Sequence, residues 1–334
     1  EPTPETGYDY YQITLGKASM YTSGTSGAPN SCAWESMFDI QQMAYVEPDI
    51  AWSAAEGFIN SIDDNGILSG ESLPSQKAHM VWVCYENKPD NQELNELYPK
   101  IKKYLQWRYN NPHWGIGGRV YQDEKDISFV MQWYSDVNYA IKICQVLGKY
   151  DDISMWENLQ NQMSENARQW FFTPSPGDSS DKIYNFCFTD SGLHYEYDRQ
   201  ADVPNYIASA LYADFPKDLT DRLVDYYLKL HDSSADLVGF DFYKYGDGCH
   251  IAYALLEREK EYPQLAGMWK EYINAALRNV VKSVEFSEES RPDKYYPQGV
   301  QPSTFTASTM IDFTYMNNGM RMDLGTPVAI ADGE

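Results

Sequence analysis

The connections between helix-like stretches constrain this chain most, because short and long ones alternate from end to end. Short turns at Glu47-Pro48, Asn87 to Asp90, Lys149 to Asp152, Asp214 to Pro216 and Lys260 to Tyr262 each join two stretches of helical apolar spacing. Between those pairs lie long segments at 22–34, 63–75, 111–126, 173–201, 232–246 and 283–302. A short turn makes its two helices antiparallel neighbours. All long segments then leave one end of the array and all short turns leave the other. Hairpins of this kind closing in a ring predict an all-α (α/α)6 toroid of about twelve helices, with the cleft on the long-segment face. An open solenoid would need a repeat of fixed length, and the spacing of the short turns drifts.

The periodicity itself places helices near 8–21, 35–46, 49–62, 76–86, 91–110, 127–148, 153–172, 202–213, 217–231, 247–259, 263–282 and 303–317. Phe129, Trp133, Val137, Ile141 and Cys144 show the pattern well, as do Trp156, Leu159, Met163, Ala167 and Trp170. Strand alternation is scarce. No linker divides residues 1–334, so one domain is expected, with residues 1–7 ("EPTPETG") linker-like. That opening lacks a basic and an apolar leader segment. It predicts a secreted or periplasmic protein from which a signal or an upstream domain has been removed; a cytoplasmic location is the alternative.

A formal charge of −23 argues against nucleic acid and anionic lipid as partners. No apolar run approaches a membrane span. Aromatics make up 15% of the chain, with 28 Tyr and 9 Trp, more than the 43% hydrophobic content needs for a core. Rings of this kind stack on sugar faces as readily as they pack, which points to an oligosaccharide or glycan partner. The five cysteines show no metal-binding or redox spacing, and most are expected to be buried thiols. No cofactor is expected, although loop carboxylates could hold a structural Ca²⁺.

Chemistry belongs where a long segment runs into the next helix. That filter retains Glu35 and Asp39, the cluster Asp123, Glu124 and Asp126, then Asp198, Asp202, Asp241 and Asp247, and finally Glu285, Glu288 and Glu289. Glycosidic hydrolysis needs one protonated carboxyl and one ionised carboxylate from different segments. The competing role for any such acid is a helix cap. Nucleophile-elbow, phosphate-loop and dinucleotide motifs are lacking, and "GIGGR" at 115–119 follows a helix rather than a strand. The histidines are scattered; His250 opens a helix and is a candidate for the cleft.

Four stretches carry a family resemblance: "WESMFDIQQMAYVEPDIAWSAAEGFINSIDDNGILSG", "DISFVMQWYSDVNYAIKICQVLGK", "DFYKYGDGCHIAYALLERE" and "EESRPDKYYPQGVQPSTFTASTMIDF". Together they resemble the six-hairpin glycosidases, most closely the clan around glycoside hydrolase family 63. The resemblance implies an inverting α-glycosidase with Asp126 as general acid and Glu289 as general base, Glu288 being the nearest rival to Glu289. The middle segment reads "QDEKD" where the clan has E-S-G-x-D, which leaves Glu124 and Asp123 as rival acids. Trp34, Trp133 and Tyr243 are expected to stack on sugar. Glu35, Asp39, Lys244, His250 and Arg291 are expected to bind hydroxyls or tune the acids. A non-catalytic carbohydrate-binding protein on the same toroid is the alternative.

Overall fold

The computed structural model describes residues 9–12, 33–68, 75–112, 115–116, 119–120, 124–174, 177, 182–184, 186–190, 193–195, 210–233, 248–283, 289–291, 296–298 and 303–331. These hold ten α-helices: α1 (Ala33–Val46), α2 (Pro48–Asn60), α3 (Lys77–Asn87), α4 (Asn91–Asn110), α5 (Ile127–Leu147), α6 (Tyr150–Phe171), α7 (Lys217–Ser233), α8 (Gly248–Arg258), α9 (Met268–Ser283) and α10 (Thr304–Asn317).

Their burial separates two layers. Helix α4 buries one stripe, Leu94, Leu97, Tyr98, Ile101, Tyr104, Leu105 and Arg108, and shows its other side to solvent. Helix α5 is buried all round from Ile127 to Val137. A stripe on one side marks an outer helix and burial on every side an inner one. Inner helix α1 touches α3 and α10, α3 touches α5, and α8 touches α10. Outside them α2 lies on α1 and α3, α4 on α3 and α5, α6 on α5, and α9 on α8 and α10. Residues 210–216 bridge the arc between α5 and α8. Phe215 packs on Tyr134 at 4.9 Å between ring centroids, and Arg258 donates to the Leu211 and Ala213 carbonyls at 3.0 Å. The architecture is the all-α toroid.

Local chemistry sets the helix ends. Asp90 caps α4 by accepting the N–H groups of Gln92 and Glu93 at 3.0 Å, and Ser303 caps α10 through the Thr306 N–H at 3.3 Å. Gly148 closes α5 with φ +68°. The "DDNGIL" turn after α2 forms because Asp63 Oδ1 accepts the N–H groups of Asn65 and Ile67 at 2.8 and 2.9 Å.

Described parts of the long segments fold back as short antiparallel sheets. β1 (Gly115–Ile116) pairs with β2 (Arg119–Val120). β3 (Glu124–Asp126) pairs with β4 (Phe186–Phe188), which pairs with β5 (Leu193–Tyr195). β6 (Glu289–Arg291) pairs with β7 (Tyr296–Gln298). The "GIGGR" stretch is thus a hairpin, and strands missing from the periodicity satisfy the backbone polar groups of the loops.

Two expected helices need correction. Residues 9–12 of the 8–21 stretch are not helical: the Tyr10 ring lies against Gly57, and the Tyr11 N–H donates to Ser53 Oγ at 3.0 Å. Tertiary contact with α2 overrides the local pattern there, and residues 13–21 lie outside the described residues. The 263–282 helix is interrupted. A 3₁₀ turn at Pro263–Leu265 stops before Gly267, at φ +77°, and α9 starts after it. The 202–213 stretch lies mostly outside the described residues.

After α10 the chain turns into the ring. Strand β8 (Met320–Arg321) pairs with β9 (Val328–Ala329), and the intervening residues reach most of the inner wall. Tyr45 and Gln41 of α1 donate to the Met322 carbonyl. His79 of α3 and Tyr139 of α5 meet the Asp323 carbonyl at 2.5 and 3.2 Å, and Tyr212 donates to Asp323 Oδ2 at 3.0 Å. Arg321 forks onto Asp323 at 2.6 and 3.0 Å and pairs with Glu257 of α8. Asn87, at the far end of α3 from His79, holds the Gly325 carbonyl at 2.8 Å. The contacts on α3 therefore span about 12 Å of helix at ~1.5 Å per residue.

Candidate active site

Three buried carboxyls meet N-terminal turns of inner helices. Asp126 is completely buried at the start of α5. Its N–H donates to the Pro112 carbonyl at 3.2 Å, and its Oδ1 accepts the Ser128 N–H at 2.8 Å and the Ser128 hydroxyl at 2.6 Å. Its Oδ2 meets no hydrogen-bond partner. Burial pushes the Asp126 carboxyl up to about 7, helped by the nearby Glu124 charge and opposed by the Ser128 bonds.

Asp39 of α1 accepts the Thr304 hydroxyl at 2.7 Å on one oxygen and the Ser308 hydroxyl at 2.6 Å on the other, both from the start of α10. Burial raises it to about 6 against those two bonds. Asp136, in the third turn of α5, accepts the His79 N–H at 2.8 Å and so caps α3, whose own cap residue Gln76 makes no side-chain cap. Burial raises it to about 7. Asp39 thus has both oxygens engaged, whereas Asp126 and Asp136 each keep one without a partner.

Next to these acids the ring interior is aromatic and imidazole-lined. His79 stacks on Tyr139 at 3.9 Å and touches Gln76 through Nδ1 at 2.7 Å and the Asp323 carbonyl through Nε2 at 2.5 Å. The Gln76 atom beside Nδ1 is Oε1, while Gln76 Nε2 has no partner; a neutral ring has one N–H, which goes to the carbonyl, so we assign the amide turned end for end, its nitrogen donating to Nδ1. Burial lowers His79 to about 4. His250 is buried between Phe38 at 5.3 Å and Tyr212 at 4.9 Å, and burial lowers it to about 3. Both rings are held neutral.

The other predicted residues divide clearly. Trp133 is buried, donates its indole N–H to the Leu105 carbonyl at 2.8 Å, which ties α5 to α4, and lines the pocket between those helices. Glu124 is buried in β3, two residues before Asp126. Trp34 and Glu35 fall in the first turn of α1, while Glu289 and Arg291 fall in β6. The side chains of these four lie outside the described residues, as do Asp123, Glu288, Tyr243 and Lys244. Among the described residues no group of three or more His, Cys, Asp or Glu side chains is placed to hold a metal ion, and no helix is long and apolar enough to cross a membrane. The loop-to-helix filter missed Asp136, His79 and Asp323. For Asp136 the signal was present, since only it and Lys142 are charged in the otherwise uncharged α5 sequence.

The fold matches solved structures of glycoside hydrolases. A family 63 mannosylglycerate hydrolase from Thermus thermophilus, in complex with Tris, aligns with a TM-score of 0.62 at 12% identity, over 85% of this chain and 93% of that one. A possible family 105 member from Klebsiella pneumoniae aligns at 0.54 and 10% identity, over 92% and 86%. An unsaturated glucuronyl hydrolase from Bacillus sp. GL1 aligns at 0.54 and 10%, over 90% and 89%. No family model matches the chain, and no curated protein does. At such identity the likeness establishes the six-hairpin glycosidase fold, independently of which residues act.

Proposed function

We propose that this chain is a glycoside hydrolase that removes an α-linked sugar, of the α-glucoside or α-mannoside type, from an oligosaccharide with inversion. The observation that carries this reading is the state of Asp126. Its carboxyl sits where a long segment enters an inner helix, is raised to about 7, and has one oxygen without a partner. Such a group is protonated in a large fraction of molecules near neutral pH and can give its proton to a leaving oxygen. Asp39 has both oxygens taken; Asp126 and Asp136 each spend one oxygen on a helix N-terminus, of α5 and α3, and of the two only Asp126 stands where a long segment enters its helix.

Glu289 is the proposed base, with Glu288 its rival as Glu124 and Asp123 are for the acid. The base would deprotonate a water on the opposite face of the sugar, with the two carboxyls ~6.5–9.5 Å apart to leave room for that water. This reaction needs no cofactor. The structural neighbours are glycoside hydrolases, and the mannosylglycerate hydrolase among them puts mannosides high in a substrate panel.

The test is a panel of α-glucosides, α-mannosides, α-galactosides and α-rhamnosides followed by NMR at the anomeric protons from the first minutes. A β-anomer appearing first from a gluco, manno or galacto substrate is the expected result. An α-anomer appearing first would overturn inversion. Silence from folded protein, with sugar binding still seen by calorimetry, would replace the hydrolase by a carbohydrate-binding protein.

A further inference from the structure

The three buried carboxyls differ in how their oxygens are loaded. Asp39 takes one hydroxyl on each oxygen, from Thr304 and Ser308, and Asp136 meets backbone N–H groups at the start of α3. Asp126 alone of the three takes an N–H and a hydroxyl on the same oxygen. Both come from Ser128 and both reach Oδ1, at 2.8 and 2.6 Å, while Oδ2 is buried without a partner. Ser128 is itself buried in the first turn of α5, which fixes its N–H, and its hydroxyl stands at the short distance of a bond to a carboxylate.

A protonated carboxyl has one carbonyl oxygen, a strong acceptor, and one hydroxyl oxygen, a donor. An oxygen that already receives two hydrogens is the acceptor, so the proton goes to the other. We propose that Ser128 is a positioning residue of the reaction, fixing the proton of the Asp126 acid on Oδ2, the oxygen that the helix cap leaves. This rests on the reading of Asp126 as the general acid. Capping and catalysis then divide one carboxyl: Oδ1 holds the start of α5 and Oδ2 carries the proton. A general acid acts through a hydrogen bond to the leaving oxygen, so a proton kept on one oxygen is aimed and one shared between two is not.

The surroundings leave that choice to Ser128. Glu124, two residues earlier on β3, bears on the carboxyl as a charge. Lys125 lies on the other face of the strand, its ammonium 5.7 Å from the centre of the Trp170 ring. Across the sheet the partner of Asp126 is the buried Phe186, and on α5 its neighbours Ile127, Phe129 and Val130 are uncharged. Burial raises the carboxyl to about 7 against the Ser128 hydroxyl, the Ser128 N–H and the Phe129 N–H, each of which favours the charged form.

Carboxyl-carbon NMR of the full chain, labelled at aspartate, tests this, with the Asp126 signal identified by its loss in Asp126→Asn. Ser128→Ala removes the hydroxyl and keeps the backbone cap, and Ser128→Thr keeps both. A bond to a charged carboxylate is stronger than one to the neutral acid, so the Asp126 titration should rise by about one pH unit in Ser128→Ala and return in Ser128→Thr. The high-pH limb of the pH–rate profile should rise with it at unchanged KM. A fall in Ser128→Ala would overturn the proposal, because the hydroxyl would then be accepting a proton held on Oδ1, and an unmoved titration would overturn it too. A limb that stays while the carboxyl moves would overturn Asp126 as the acid, and with it the positioning role, and the NMR titration would show that failure apart from an error in the proton's place.

Discussion

Replacing Arg321 by Met removes the cation at the centre of the ring while keeping most of the side chain's apolar length. Arg321 is 8% exposed and Asp323 2%, and their fork closes at 2.6 and 3.0 Å. After the substitution the Asp323 carboxyl keeps only the Tyr212 hydroxyl, at 3.0 Å, as a side-chain partner. Breaking a buried pair from one side costs about 3–5 kcal/mol, because the remaining charge stays buried and uncompensated. The Glu257 contact adds at most about 1 kcal/mol, since that carboxylate is 42% exposed and screened. Against a total stability of ~5–15 kcal/mol the loss is a large fraction. Urea unfolding followed by far-ultraviolet circular dichroism reads it as a lower midpoint at unchanged slope. In the double variant Arg321→Met with Asp323→Leu no buried charge is stranded, so it should be more stable than Arg321→Met alone. A single-variant loss below about 1 kcal/mol, or a double variant whose loss is the sum of the singles, would refute the reasoning.

Asp126→Asn should lower kcat by ~10²–10⁴ with the fold intact, and near-normal turnover would reject Asp126 as the acid. Because its carboxyl is raised to about 7, activity should fall as pH rises through that value. Glu124→Gln should move this limb downward by less than about one pH unit, since burial rather than the Glu124 charge is the main cause; a larger displacement in the pH–rate profile would reverse that ranking. For stability, Asp39, Asp126 and Asp136 are raised from 3.8 to about 6, 7 and 7, so their contribution is full below 3.8 and lost as pH rises through 6–7. His79 and His250 are lowered from 6.5 to about 4 and 3, so theirs is full above 6.5 and lost as pH falls through 4 and 3. Above 6.5 the carboxyls dominate, and the melting temperature should be higher at pH 6 than at pH 8.5; the opposite order by calorimetry would contradict the assignment. Gly66→Ala should destabilise by about 1–3 kcal/mol, since Gly66 has φ +84° and the new Cβ would lie 2.4 Å from the Lys103 carbonyl. Gly148→Ala, at φ +68° with open space around it, should cost less in the same melting assay.

The alternation of connections made the toroid legible because it reports topology directly: a short turn leaves two helices nowhere to go but side by side. Helix positions followed where burial and periodicity agree, as in α4, whose buried stripe repeats along its length. The stretch at residues 9–12 failed for the opposite reason. Its tyrosines find their partners on α2, through Gly57 and Ser53, and no local pattern encodes that. Sequence could place Trp133 on α5 but not its bond to the Leu105 carbonyl, which depends on how α4 packs beside it. Asp323 was hidden more deeply. It follows the last helix, in a position that reads as a surface tail until the chain is seen to turn into the ring.

The placement of the buried acids follows from one physical contest. The hairpin arrangement points the N-terminal ends of the inner helices toward the long-segment face, and each such end favours a negative charge by ~0.3–1 kcal/mol, at most ~2. Taken alone, this would lower carboxyl pKa values by about 0.2–0.7 unit, at most about 1.5. Burial acts in the other direction and prevails, taking Asp126 and Asp136 from 3.8 to about 7. The helix ends therefore explain where the carboxyls sit, and desolvation explains why they hold protons. A carboxyl at an inner-helix start becomes a proton donor only if it also keeps an oxygen free of the cap. Asp39 lacks such an oxygen, and the carboxyl of Asp136, in the third turn of α5, bears on the first turn of α3 rather than on the entry of a long segment. Asp126 retains its own beside the segment that leads into α5, which makes it the strongest candidate among the described acids.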